Sequence, residues 1–433
     1  MHDVVIIGAG ISGLSVAHRL KHKNICVLES EPRCGGRVLS LKMGDYMYNT
    51  GAQVIIGEQS PPALLARELD VPITLIQKSK MPMHINGKTV AASSDIGFLW
   101  QLPIPLLQKI KLGWHVARLR RRFGQFAGIL PALDDPRLAD LDAVTLADLV
   151  GAKETDYKGI WDALSLGTTT QRSDEVAAYQ PLSSFLAFLN NEYYVENGTS
   201  ALTDALWKSV EDKVLTRATV TEVRRVDGIF EVHYDHDGTT KSVRAARCVI
   251  TVPGTLVTNL VPSLPDWKTQ ALAKLDYGEY TSAGFLLDIP TSTLLPEGVW
   301  RMPVVGKHFC SITDPTFTFA PDFRKKSGQG LFRLYCGHAA SLELRRLGEE
   351  GALDLMQQEL DDVLPGAAAH VIERAIRHWT LAVPPWRVGR LKVMADILAP
   401  TDGIHYCGDY TDSNSMSGAV NSANRVLKEL ERN

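Results

Sequence analysis

Gly8, Gly10 and Gly13 hold the spacing G-x-G-x-x-G between two short apolar runs, and an acid, Glu29, closes the second run. Each part has a chemical use. Gly8 permits a tight turn, Gly10 lets the backbone approach a pyrophosphate, and Gly13 lets a helix pack closely on a strand. A helix that opens at such a turn offers unpaired N–H groups and a partial positive charge to phosphates. Glu29 stands about 20 residues further on, where a carboxylate accepts hydrogen bonds from a ribose diol. The elements that position these groups are legible around them. Val4-Val5-Ile6-Ile7 reads as a buried strand, a helical pattern runs from about Ile11 to His22, and Ile25-Cys26-Val27-Leu28 reads as a second strand. Strand, turn, helix, strand and acid in this order predict a dinucleotide site, against the plainer alternative of a βαβ unit whose glycines serve packing alone. NAD and FAD both remain open on these residues.

Composition narrows the class. At 433 residues the chain exceeds one ordinary core, so two domains are expected. A formal net charge of −3 argues against a general nucleic-acid binder. The six cysteines show no C-x-x-C spacing, so no metal site is expected, and Cys26 and Cys407 read as small buried hydrophobes. With the first strand starting at residue 4 and no run of 18 apolar residues, neither a signal peptide nor a membrane-spanning helix is expected. A reducing cytoplasm fits.

Further along, Val38 to Leu41 and Tyr46 to Ile56 suggest a hairpin closing over the nucleotide, and Ser60 to Leu69 a helix with prolines in its first turn. Residues 73–197 read mainly as apolar helices with charged faces. Gly198 to Val210 reads as a helix capped by Thr199 or Ser200. Strands follow at 220–223, 229–234 and 248–252, with a hairpin turn at Asp237-Gly238. A charged helix is predicted over 342–363 and a last one from about Gly418 to Leu430.

Three features favour FAD. Arg33-Cys34-Gly35-Gly36-Arg37 follows the second strand, Gly408-Asp409 ends an apolar strand before Ser417-Gly418-Ala419-Val420, and Tyr193 to Leu206 leads into a returning helix. Together these residues resemble the flavin-containing amine oxidase superfamily, which includes monoamine oxidases, protoporphyrinogen oxidases and phytoene desaturases. The resemblance implies an α/β fold: a Rossmann-like FAD-binding domain, a parallel sheet with helices plus a β-meander, interleaved with an α+β substrate domain. Residues 1–75, 198–270 and 385–433 would form the first, and 76–197 and 271–384 the second. It further implies that Gly8, Gly10 and Gly13 hold the pyrophosphate and Glu29 the adenosine ribose. Arg37 would lie by the pyrophosphate and ribityl chain, with Gly35 and Gly36 allowing close approach. Val220 would set its backbone against adenine, and Asp409 beside Gly408 would accept from a flavin-side hydroxyl. Gly51-Ala52-Gln53 would run near the isoalloxazine, and the helix from Gly418 and Ala419 would aim its N-terminus there.

The sequence also departs from that pattern. Many amine-oxidising relatives place a lysine four residues after the glycine of a turn; Gly278-Glu279-Tyr280-Thr281-Ser282 puts Ser282 there, which supplies no cation. Trp379 matches the family tryptophan, but the segment after it, Thr380 to Gly389, resembles protoporphyrinogen oxidases more closely. No cysteine occupies the place of covalent flavin attachment, so FAD is expected to be noncovalent. Trp379 and Trp386 are candidates for a hydrophobic wall beside the substrate, or else ordinary core tryptophans. Along 96–123, Leu107, Ile110, Trp114 and Ala117 share a helical face among Lys109, Lys111, Arg118, Arg120, Arg121 and Arg122. A substrate-domain helix with its basic face in water is favoured there over an interfacial helix touching a membrane. The expectation is an FAD-dependent oxidoreductase acting on a small, partly apolar molecule. Oxidation of C–N is favoured, with dehydrogenation of C–C or porphyrinogen-like bonds as the alternative.

Overall fold

The computed structural model describes residues 1–77, 82–91, 95–126, 131–188, 191–296 and 298–432. The β-branched run at the N-terminus becomes the strand His2–Ile7, with Val4 to Ile7 buried. It lies between two parallel partners, Ile25–Leu28 and the C-terminal half of Thr239–Ile250, which explains an apolar run without alternation. Val214–Leu215 adds a parallel strand on one side, and Ile404–Tyr406 pairs with Cys248 to Ile250.

The strand Thr239–Ile250 does two jobs. Its first half pairs antiparallel with Ile229–His236, which pairs in turn with Ala218–Val226, forming the meander. Its second half belongs to the parallel sheet. Asp237 and Gly238 both take positive φ, 52° and 76°, as the tight turn between those strands requires.

A second, antiparallel sheet has the order Arg301–Pro303, Phe309–Thr313, Gly330–Cys336, Gly278–Leu287, Val371–Val383. The helix His338–Val363 packs on it, with Leu344, Leu353, Met356 and Leu360 in the shared core. A smaller, separate sheet brings distant segments side by side: Glu192–Val195 pairs with both Ile55–Ile56 and Ile73–Leu75.

Several expectations need correction. The first helix spans Ile11–Arg19 and stops before His22, because Lys21, His22 and Lys23 are exposed and offer nothing to bury. The paired strands Ser40–Met43 and Tyr46–Asn49 stand back from the cavity, which only their flanks, Val38 and Gly51 to Val54, line. Met43, Tyr46 and Tyr48 instead pack on Leu286 and Leu331 of the second sheet. Neither Thr199 nor Ser200 caps the helix Ser200–Lys208: Thr199 Oγ1 donates to the Ala52 carbonyl, and Ser200 Oγ accepts from the Ser40 N–H. Both hydroxyls tether the returning helix to the segment before Gln53.

Candidate functional site

One cavity of about 1230 Å³ runs from the glycine turn to the second sheet and on between the helices of the 95–188 region. Its first stretch is walled by backbone. Gly8 takes φ 101°, and a Cβ on Gly13 would stand 2.0 Å from the Gly8 carbonyl oxygen, so helix and turn touch with no room for a side chain. Gly10 differs from both. A Cβ there would meet nothing within 4 Å, because it faces the cavity. The helix Ile11–Arg19 has no side-chain cap and no acid in its first turn, leaving its N-terminal end to a bound anion. Gly10 also bridges Gly35, and Gly36 at φ 55° approaches the Gly10 Cα. Arg33 straps this second glycine turn by donating to the carbonyls of Cys34, 3.1 Å, and Gly36, 2.8 Å.

Glu29 is buried and lines the cavity. One oxygen accepts from the Ala9 N–H at 2.6 Å and the other from the Glu31 N–H at 2.9 Å, which fixes the carboxylate beside the turn. The Ala218 N–H reaches the Glu29 carbonyl at 2.7 Å, and Val220 lines the same end. On the far side, Arg37 makes a two-pronged pair with Asp409, Nη1 to Oδ2 at 2.6 Å and Nη2 to Oδ1 at 3.1 Å. Burial works against the Arg37 charge, but the Asp409 carboxylate outweighs it and holds the guanidinium above its ordinary pKa. Arg37 also donates to the Ala382 carbonyl at 2.7 Å, joining the glycine turn to the second sheet. The fit to FAD is therefore good at named groups: an open glycine over a helix start, one acid at each end, and an arginine paired with the second acid.

The closing helix, Met416–Arg432, brings Met416 and Ala419 to the wall. Gly418 serves packing, since a Cβ there would stand 1.9 Å from the Ser413 carbonyl oxygen. Gln53 lines the cavity and its amide donates to Thr313 Oγ1 at 3.1 Å, so the Gly51–Gln53 strip is pinned to the second sheet.

At that sheet the candidate side chains separate. Trp379 lines the cavity, its indole N–H held by the Thr50 carbonyl at 3.0 Å and the Arg377 guanidinium 4.7 Å over its ring. Trp386 is not on that wall. It is 1% exposed, donates to Asp142 at 2.6 Å, and packs edge-on to Tyr179. Its core environment satisfies the indole and makes it a structural tryptophan. Ser282 is likewise fully buried behind the cavity surface, where its hydroxyl accepts from Arg333 Nε at 3.0 Å.

Arg333 is the feature the sequence reading missed. A cation does stand beside Ser282, supplied by the neighbouring strand. It lines the cavity with Tyr280 and Tyr335, whose rings lie 5.7 Å and 5.5 Å from it. Burial lowers its pKa to about 10. One signal was available: a lone cation inside the apolar run Leu331-Phe332-Arg333-Leu334. Cys310 lines the cavity as well, with burial pushing its thiol up to about 12, so it is no thiolate.

The remaining wall is apolar and helical. Phe98 and Leu99 from Asp95–Gln101, Leu112 and Val116 from Leu106–Phe123, and Leu164 and Phe185 from two further helices line it. The face carrying Leu107, Ile110 and Trp114 is not buried as expected: these residues are 64%, 58% and 59% exposed. Leu112, Leu119 and Phe123 anchor the helix instead, because the cavity and the neighbouring helices lie on that side. Among the described residues no group of three or more His, Cys, Asp or Glu is placed to hold a metal ion, and no helix is long and apolar enough to cross a membrane.

Comparison with known proteins places the chain in a family and a fold. The sequence matches the flavin containing amine oxidoreductase family over residues 11–427. Polyamine oxidase 4 of Oryza sativa subsp. japonica is 22% identical, over 99% of this chain and 88% of that one. Coproporphyrinogen III oxidase of Mycobacterium tuberculosis is 24% identical, over 98% and 96%. A structure of putrescine oxidase bound to putrescine superposes with a TM-score of 0.83 at 19% identity, covering 100% of this chain and 99% of that one, a likeness of fold. A match over residues 11–427, which takes in Glu29, Arg37 and Asp409, leaves one assignment: the chain belongs to the flavin-containing amine oxidoreductase family and uses FAD as its cofactor.

Proposed function

We propose that the protein oxidises a C–N bond of a small organic amine to the imine, with Gly8, Gly10, Gly36, Arg37, Glu29, Val220 and Asp409 holding FAD without a covalent bond. Bound FAD supplies the acceptor for the hydride equivalent. The chain supplies the rest. Arg37 and Asp409 orient each other across the middle of the cofactor site, Trp379 walls the reaction end, and the apolar helices exclude water. The observation that carries this reading is the Arg37–Asp409 pair, which joins residues 372 apart in sequence at the wall of one cavity. Purified protein should show flavin absorption bands and lose them anaerobically on addition of an amine. Acid precipitation should release the flavin into the supernatant; a yellow pellet would contradict noncovalent binding.

Dehydrogenation of C–C or porphyrinogen-like bonds is the second reading. Ser282 in place of a lysine and the Pro384-Pro385 segment favour it. Stopped-flow reduction by amines against porphyrinogens separates the two, since reduction by porphyrinogens alone would select the second. We also place the protein in a reducing compartment, the cytoplasm, in keeping with six free cysteines. Its exposed Leu107–Trp114 face is a candidate for contact with a lipid surface.

A further inference from the structure

Arg333 is 2% exposed, yet no carboxylate among the described residues lies within ion-pair distance of it. Its Nε is used on Ser282, its one other hydrogen bond is a long one, Nη2 to the Gly51 carbonyl at 3.5 Å, and the Tyr280 and Tyr335 rings beside it carry no formal charge. Beside it the buried Tyr280 hydroxyl has no partner. A buried cation without a counter-charge is costly, so the pairing has to come from what the cavity binds.

The charges around the cavity point the same way. Its acidic lining residues are Glu29, Glu31 and Asp409. Glu29 and Glu31 lie at the Val220 end, and Asp409 is committed to Arg37. The second sheet contributes Arg301, Arg333 and Arg377 and no carboxylate among the described residues. Glu192 already answers Arg301 at 3.1 Å, and Arg377 is exposed. Of these three, Arg333 alone is both internal and without a carboxylate partner among the described residues. The phosphates of FAD belong at the glycine turn, where the helix start and Arg37 receive them.

We propose that Arg333 anchors a carboxylate of the substrate, so that the molecule oxidised is a carboxylate-bearing amine and not a diamine. This rests on the proposed reaction and narrows its substrate. A second ammonium, as in a diamine, would meet the guanidinium with like charge. The planar fork of arginine suits a carboxylate, with the Tyr280 hydroxyl free to donate to it.

The test uses the flavin-loaded protein at neutral pH, titrated with benzoate and with its neutral isostere benzamide while the visible flavin spectrum is followed. Benzoate should bind at least about 10-fold more tightly than benzamide. Arg333→Met should abolish that preference, Arg333→Lys should keep most of it, and Arg377→Gln should leave it unchanged. Equal binding of the two probes by wild-type protein with a normal flavin spectrum would overturn the proposal. A preference that survives in Arg333→Met while the flavin midpoint potential falls would overturn it too, making the reduced flavin the anion that Arg333 meets. If Arg333→Met does not fold, loss of preference in Arg377→Gln with none in Arg333→Lys would move the anchor to Arg377 and sink the assignment. Protein that takes up no flavin would defeat the proposed reaction separately. Calorimetry of the same two probes on the flavin-free protein would then decide, a benzoate preference upholding the anion site and equality removing it.

Discussion

At the scale of single residues, the three glycines of the first turn are three different demands, and their substitutions should separate accordingly. Gly10 has φ −70° and open space where a Cβ would go, so Gly10→Ala costs the fold little. The methyl would occupy the surface a pyrophosphate must approach. We expect apoprotein stability within about 1 kcal/mol of wild type and FAD affinity reduced at least tenfold, read by fluorescence of released flavin. Gly13→Ala should do the reverse: its Cβ would overlap the Gly8 carbonyl, so thermal melting of the apoprotein itself should fall sharply. Equal loss of affinity and equal stability for the two variants would contradict the assigned roles. Asp409→Asn removes the counter-charge of Arg37, whose side chain is 33% exposed and lines the cavity. Removing one member of a fully buried pair costs about 3–5 kcal/mol, and partial exposure of Arg37 lowers that to about 1–3 kcal/mol. Flavin content of the purified variant measures it, and a full complement of FAD would remove Asp409 from the site.

At the scale of elements, the closing helix has to hold its N-terminus against the cavity, and its far end supplies the grip. Glu429 accepts from His405 Nδ1 at 2.8 Å and pairs with Arg425, which donates to the Tyr406 carbonyl at 2.6 Å. Burial pushes the Glu429 carboxyl up, but the His405 hydrogen bond and the Arg425 charge outweigh it, so its pKa lies below the ordinary value of 4.5. A carboxylate lowered on folding stabilises the fold fully above its unfolded pKa, and that stability is lost as pH falls through the lower folded value. Glu429→Gln should therefore cost about 1–2 kcal/mol at pH 7 and flatten the acid limb of a pH–melting curve below about pH 4.5. An unchanged acid limb would show that the grip does not depend on charge. Elements like this one were legible in sequence where local pattern dictates them. The strand His2–Ile7, the Asp237-Gly238 turn and the close-packed Gly8–Gly13 turn follow from β-branching, positive φ and glycine spacing. What escaped were contacts set by tertiary packing. Nothing in the local sequence distinguishes Trp379 at the wall from Trp386 in the core, because the difference is Asp142, some 240 residues away. The Ser40–Asn49 hairpin was recognised as a hairpin but misplaced, since its partners Leu286 and Leu331 lie in a sheet the sequence does not announce.

At the scale of the whole molecule, charge and exposure are unevenly distributed. The chain carries a net charge of −3, yet residues 95–123 hold six lysines and arginines against Asp95 alone. On the helix Leu106–Phe123, Leu107, Ile110 and Trp114 fall in one sector about 60° wide, and Lys111, Arg118 and Arg122 border it. Trp100 of the preceding helix is 57% exposed, Ile96 stands at the rim of the cavity, and Lys109 Nζ ties the two helices by donating to the Trp100 carbonyl at 2.5 Å. The opposite faces of the same pair, through Phe98, Leu99 and Val116, line the cavity. One pair of helices thus divides an apolar interior from an apolar, cation-bordered exterior. Large exposed apolar patches of this kind mark interaction surfaces, and a basic border suits an anionic lipid headgroup at about 1 kcal/mol per cation near the surface. Vesicles of phosphatidylcholine with a third phosphatidylserine should therefore carry the protein upward in a density gradient at low salt. Pure phosphatidylcholine should carry much less, and raised salt should weaken the anionic case by screening. Replacing Ile110 and Trp114 with serine should abolish flotation while flavin content and amine-driven bleaching stay unchanged, since neither side chain lines the cavity. Protein that stays at the bottom of the gradient with anionic vesicles would leave this face as a plain solvent surface. The route into the cavity would then have to be sought elsewhere on the molecule.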